Sequence, residues 1–444
     1  MDKKFYRNNR NRLFEVMDDN SLIVLYSGEL KDKTADEQFL FEVNKNFYYF
    51  TGINQDNVML IMAKSGKEKK EMLFIEENDP VKVKWVGEKL YKDEASMISG
   101  IDKVFYHPDF IPALNLLLND KLNGLKVVYL DLEQKNLVNY ITSAMKLKEQ
   151  LEARYPGLVI KNAYDELILL RRVKTKEEIA MHQVAIDTTK GALDVIMQNL
   201  KPGMYEYQAE AYFDSYIKYD GQKDQAFTTI VASGKNATIL HYTANNTKIK
   251  DGDLVLFDLG ARYEFYISDI SRTYPANGKF TPRQRQIYEI VLDTNKKCIE
   301  YLKPGLSFAD YYKYARDLLA KGLKEIGLIK EDCELVNYYW HSVGHPIGLD
   351  THDPASRDIP IDEGMIITVE PGLYLEKEGI GVRIEDDVLV TKDGPVVLSK
   401  DIIKEVDEIE AYMAKGRTSR KWNKTDSWKT ISFYQLFSIN DYIF

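Results

Sequence analysis

Short apolar runs separated by polar stretches fill the first third of the chain. Residues 22–26, 47–50, 58–62, 72–75 and 127–130 are segments of four or five residues rich in β-branched and aromatic side chains, a composition that predicts strands. Residues 110–118 and 136–151 predict helices. Strands interleaved with helices make an α/β domain, expected to occupy 1–160. A second unit starts at Thr175-Lys176-Glu177-Glu178, where a threonine followed three residues later by glutamate forms a capping box for a helix N-terminus. Ile179, Ile186, Leu193, Met197 and Leu200 then recur at helical spacing until Pro202-Gly203 stops the helix.

The second unit repeats itself. Leu200-Lys201-Pro202-Gly203 is echoed by Leu302-Lys303-Pro304-Gly305. Asp251-Gly252, followed five residues later by Asp258-Leu259-Gly260, is echoed by Glu363-Gly364, followed five residues later by Glu370-Pro371-Gly372. In each copy an apolar run delivers a carboxylate to its end, and a later strand-like run supplies another: Asp269 in Ile267-Ser268-Asp269-Ile270, and Glu385 in Val382-Arg383-Ile384-Glu385. Such an echo predicts two similar halves related by a pseudo-twofold, with four carboxylates meeting where the halves join.

Like charges a few ångströms apart in a cleft cannot all ionise cheaply unless cations sit among them. The convergence therefore calls for metal. Three of the six histidines, His341, His345 and His352, fall together in a glycine-containing segment between the two carboxylate pairs, which makes them candidates to complete the site. His107 and His182 stand apart and are expected to serve surface or packing roles.

Composition narrows the class. The 444 residues carry 60 Lys+Arg against 69 Asp+Glu, a net charge of -9, whereas a general nucleic-acid binder needs a basic surface. No run of eighteen apolar residues spans a membrane, and the charged start Met1-Asp2-Lys3-Lys4 predicts no secretory signal. Two cysteines, Cys298 and Cys333, are too few for a disulfide framework and fit a reducing cytoplasm. From 415 to 444 the chain changes character: six basic residues stand against Asp426 and Asp441, with two tryptophans and no period. That stretch is expected to be a weakly ordered basic extension.

Five segments, taken in order, resemble a known signature set: Leu256-Phe257-Asp258-Leu259-Gly260, Ser268-Asp269-Ile270-Ser271-Arg272-Thr273, Gly344-His345-Pro346-Ile347-Gly348, Thr368-Val369-Glu370-Pro371-Gly372 and Val382-Arg383-Ile384-Glu385-Asp386. The set is that of the pita-bread metallopeptidases, in their Xaa-Pro aminopeptidase and prolidase branch. Phe47-Tyr48-Tyr49-Phe50-Thr51-Gly52 is similar to that branch's creatinase-like N-terminal domain. The resemblance implies an α/β creatinase-like N-terminal domain over 1–160 and an α+β pita-bread catalytic domain with an internal pseudo-twofold over 165–414.

It also implies a dinuclear site with Asp258, Asp269, His345, Glu370 and Glu385 as ligands, Asp269 and Glu385 bridging. Oxygen-rich coordination with one imidazole suits manganese, with zinc and cobalt as alternatives. His241, His352 and Glu370 take catalytic roles under the same resemblance, while His341 and Arg383 bind substrate. Arg383 lies two residues before Glu385 and so shares its strand face. Trp85 is similar to a tryptophan that reaches a neighbouring subunit in oligomeric relatives, so a homodimer or homotetramer is expected.

The implied activity is release of the N-terminal residue from peptides with proline second. The alternatives are a prolidase acting on Xaa-Pro dipeptides and, from another class, a metal-free pita-bread binding protein. Two local departures bear on the pocket rim: Ser342 replaces a common glycine, and Pro354-Ala355-Ser356-Arg357 replaces a small apolar run.

Overall fold

The computed structural model describes residues 1–119, 124–133 and 141–418. In the N-terminal part a six-stranded sheet runs, in spatial order, Val104–Tyr106, Glu68–Ile75, Met59–Ser65, Ser21–Tyr26, Val127–Leu130 and Val159–Asn162. Met59–Ser65 is antiparallel to both neighbours, and the other pairings are parallel. Ser21–Tyr26 is central: Leu22 and Val24 pack into one buried cluster with Val128 and Leu147, while Ile23 and Leu25 pack into another with Phe47 and Phe50. A strand covered on both faces reads as a continuous apolar run, which is why this segment shows no alternation.

One expected strand is a helix. Residues 47–50 lie inside the helix Lys45–Thr51, capped by Asn44, whose Oδ1 accepts the Phe47 N–H at 2.8 Å. All four aromatic rings are buried, so the helix has no polar face to betray its period. The expected helix at 110–118 forms as Phe110–Leu118. The one expected over 136–151 forms as Ser143–Arg154, capped by Thr142; residues 136–140 lie outside the described residues.

The second part opens on the helix Lys176–Asn199. Its capping box closes as expected: Thr175 N–H donates to Glu178 Oε2 at 2.8 Å, and Glu178 N–H donates to Thr175 Oγ1 at 3.3 Å. The sequence echo has a hydrogen-bond echo. Gly203 N–H donates to Ile249 O and Ile249 N–H returns to Met204 O, both at 2.8 Å; Gly305 N–H donates to Ile361 O at 2.8 Å and Ile361 N–H returns to Leu306 O at 2.9 Å. Each half then builds an antiparallel pair, Leu254–Leu259 with Ile270–Pro275 and Ile366–Val369 with Asp386–Leu389. Among the described residues no helix is long and apolar enough to cross a membrane.

The helix Val406–Thr418 runs past the expected start of the basic extension at 415, and residues 419–444 lie outside the described residues. Ile409 and Met413 of this helix sit in the core of the second part. Met413→Ala should therefore lower stability by about 2–5 kcal/mol, read from denaturant unfolding; a loss under about 1 kcal/mol would show that the helix is only loosely docked.

Candidate metal centre

Strand pairing places the four carboxylates. Asp258 is the penultimate residue of Leu254–Leu259, beside Ser271 on one neighbour and Ile230 on the other. Asp269 immediately precedes Ile270–Pro275, and its N–H donates to Asp387 Oδ2 at 3.1 Å. Glu370 follows Ile366–Val369, its N–H donating to Val343 O at 2.7 Å. Glu385 occupies the join between Ile380–Arg383 and Asp386–Leu389, and its N–H donates to Ser271 O at 3.0 Å. That last bond ties the second half to the first at the site itself.

His345 comes from a loop pressed against Ile366–Val369. Its N–H donates to Thr368 Oγ1 at 3.0 Å, and Thr368 N–H donates to its carbonyl at 2.9 Å. A Cβ at Gly344 would lie 1.8 Å from Thr368 O, so glycine is what permits the approach. The His345 Nε2 atom lies 3.4 Å from Asp269 Oδ2 and 3.7 Å from Glu370 Oε1. Asp269, His345 and Glu385 each offer one ligand-type atom within 4.8 Å of the others.

Arg383 braces the floor. It donates to Asp258 Oδ2 at 2.6 Å, Ser271 Oγ at 2.8 Å and the Tyr374 hydroxyl at 3.1 Å. Ser271 Oγ in turn donates to Glu385 Oε2 at 2.8 Å, so Arg383 and Glu385 both reach the centre. The Tyr374 hydroxyl lies 2.9 Å from His341 Nε2, and His341 Nδ1 lies 3.7 Å from Glu370 Oε2. Ser271 and Tyr374 are the site residues that sequence reasoning passed over. Ser271 could have been found as the residue two beyond Asp269 on the same strand face; Tyr374 carries no comparable signal.

The electrostatics point to cations. Burial pushes Asp269 and Glu385 well above the usual carboxylate range; Asp258 adds to the first, Asp269 and Glu370 add to the second, and Arg383 opposes both. Glu370 is raised to about 7 by burial, against the pull of His345 and Arg383. Asp258 Oδ1 is buried and, among the described residues, lacks a hydrogen-bond partner. One arginine is too little positive charge for four carboxylates, two of them buried and two partly buried, and an orphaned carboxylate oxygen is what a bound cation satisfies. The donor set fits hard divalent ions with one imidazole.

Two family models match parts of the chain. Residues 180–392 match metallopeptidase family M24, and residues 6–127 match the aminopeptidase P N-terminal domain. The Xaa-Pro aminopeptidase of Escherichia coli (strain K12) is 33% identical over 436 residues, covering 93% of this chain and 98% of that one. The chain belongs to metallopeptidase family M24, in its Xaa-Pro aminopeptidase branch. A solved Bacillus anthracis structure, described provisionally as an aminopeptidase P, is 46% identical with a TM-score of 0.92 over 94% of this chain and 99% of that one. An E. coli aminopeptidase P solved with the inhibitor Pro-Leu is 31% identical with a TM-score of 0.86, again over 94% and 99%. This M24 chain is thus a hydrolase whose second part has the pita-bread fold.

Around the M24 centre, three histidines gather. His352 stacks edge-on against His345 with ring centroids 4.2 Å apart. It is lowered to about 4 by the partial desolvation of its ring and by His345 and His241, while His341 is lowered to about 3 by burial and by Arg383, with His241 adding to the effect. His241 contributes to both shifts. His241 and His352 are exposed, and His341 is half-buried. The departures at the rim find contacts: His341 Nδ1 lies 2.7 Å from Ser342 O, and the Arg357 guanidinium lies 5.9 Å from the Tyr312 ring centroid. His107 contacts Asn57 O in the N-terminal part. The buried His182 packs on Tyr266 with Nδ1 2.6 Å from Ile267 O. Both lie outside the centre.

Proposed function

We propose that this chain releases the N-terminal residue from peptides with proline in second position, with two divalent ions held by Asp258, Asp269, His345, Glu370 and Glu385. The observation that carries this reading is the convergence of ligand-type residues from both internal halves on one buried site, with Asp258 Oδ1 left orphaned. Manganese is the first choice of metal and zinc or cobalt the alternatives; a zinc-substituted E. coli aminopeptidase P has been solved in complex with product. When bound, such ions supply Lewis acidity to the scissile carbonyl and lower the pKa of a bound water.

The chain's own groups do the rest. Glu370, placed between His345 and His341, takes a proton from the attacking water and passes it toward the leaving nitrogen. His352 and His241, both exposed, donate hydrogen bonds to the substrate carbonyl oxygen and to the oxyanion it becomes. His341, fixed by Tyr374, lines the site for the proline ring, and Arg383 orients Asp258. Proline at the second position makes the scissile bond a tertiary amide without an N–H and with a rigid ring on the leaving side. A pocket of flat imidazole and phenol faces suits that ring.

The same reading gives the 1–160 segment the role of an N-terminal domain, 165–414 that of the catalytic domain, and 415–444 that of an appended basic extension. It takes the enzyme as a cytoplasmic homodimer or homotetramer; Trp85 is 84% exposed and both cysteines are free. A substrate panel tests the activity. Xaa-Pro-Yaa peptides should be cleaved and Xaa-Ala-Yaa spared, and an acetylated N-terminus should block turnover because the acidic site binds the free amine. Faster turnover of Xaa-Pro dipeptides than of longer peptides would replace this reading with a prolidase; no hydrolysis by metal-loaded chain would leave a binding protein.

A further inference from the structure

His352 has no anchor of its own. Its ring is exposed and, among the described residues, makes no hydrogen bond; its neighbour is the His345 ring. The next residue holds it instead. Asp353 is 4% exposed, its Oδ1 accepting from Arg171 Nη2 at 2.6 Å and its Oδ2 from Lys174 Nζ at 2.8 Å. Its N–H donates to Pro346 O at 2.9 Å, which closes the loop 346–353 on itself. A Cβ at Gly348 would lie 2.5 Å from Asp353 Oδ2, so the loop wraps the carboxylate at a distance that glycine alone allows.

Both cations come from the stretch just before the helix Lys176–Asn199. Arg171 lies near the end of the helix Tyr164–Arg172, and Lys174 follows it, its N–H donating to Gly364 O at 2.9 Å. Arg171 also donates to Asp350 Oδ2 at 2.6 Å and to Asn46 Oδ1, in the N-terminal helix Lys45–Thr51, at 2.7 Å. Two buried cations thus meet two carboxylates, Asp353 buried and Asp350 at the solvent edge, with Asn46 of the N-terminal part holding one side. Thr368 fixes the His345 end of the loop, and this cluster fixes the His352 end.

We infer that Arg171 and Lys174 are positioning residues for the peptide hydrolysis proposed above: clamped on Asp353, they hold His352 beside His345 over the site. The inference rests on that proposed function and on the role given there to His352. A cluster that merely stapled the domains would lower stability and leave kcat of the metal-loaded, folded enzyme unchanged.

A double-variant cycle on the full, metal-loaded chain separates the two, with metal content and melting temperature measured beside kcat and KM on an Xaa-Pro-Yaa tripeptide. Lys174→Met should keep the metal and lower kcat by about 10- to 100-fold with KM nearly constant, the size expected for a misplaced catalytic group. In a His352→Ala background the same substitution should cost less than about threefold, because its effect passes through the missing ring. Asp350→Asn, at the solvent edge of the cluster, leaves no buried cation unpaired and should lower kcat by about three- to tenfold, again only when His352 is present; it decides the matter if Lys174→Met fails to fold. Losses that add fully in the His352→Ala background, or unchanged kcat in folded variants, would overturn the inference. Failure of the function reading shows earlier and separately, in the parent chain on the substrate panel, and the cycle is then run on whichever peptide the parent cleaves.

Discussion

Asp269→Ala should abolish peptide turnover and strip bound metal together. Asp269 sits within reach of both His345 and Glu385, so its loss removes a donor from the middle of the ligand set. Metal affinity should fall by more than the roughly 10- to 100-fold that losing an outer partner costs. The same carboxylates predict how pH acts on the metal-free chain. Glu370 is raised from the ordinary 4.5 to about 7, so the folded state holds a proton that the unfolded state has released. That contribution to stability is fully present below 4.5 and is lost as pH rises through 7. Metal binding needs the ionised carboxylates and releases their protons, so the gap in melting temperature between loaded and chelated protein should widen between about pH 5 and 8. A gap that stays flat, or an Asp269→Ala protein with full metal content, would place the ions elsewhere.

His352→Ala should behave oppositely, keeping metal while losing about 10²–10⁴ in kcat. His345 does not depend on the His352 ring for its place: Thr368 holds its backbone, and its Nδ1 lies 3.1 Å from Pro346 O. His352 itself is exposed and, lowered to about 4, neutral at working pH, the state in which an imidazole can donate one hydrogen bond to a developing oxyanion without a charge to desolvate. Steady-state kinetics with parallel metal analysis checks this. Equal metal loss in His352→Ala and Asp269→Ala would make His352 part of the ion cage and erase the division between the two roles.

What the sequence determined by itself is what depends on short separations. The capping box at Thr175 and Glu178 needs three residues of spacing, and it forms. The echo of Asp251-Gly252 and Glu363-Gly364 each needs a turn, a run of five residues that is mostly strand and a carboxylate, and both halves build it. Those patterns name Asp258, Asp269, Glu370 and Glu385 without knowledge of the fold. The aromatic run 47–50 shows where this fails: a short segment buried all round has no polar face, so periodicity cannot separate strand from helix, and the Asn44 cap decided for helix. Ser271 became part of the site only when the second half closed on the first and brought Arg383 onto it, whereas Tyr374 meets the same arginine across a strand pair within the second half. Arg171 and Asp353 stand 182 residues apart, and neither carries a local signal that the other is its partner. Their pairing follows from burial, because a charge removed from water must find its counter-charge wherever the packed chain happens to bring one.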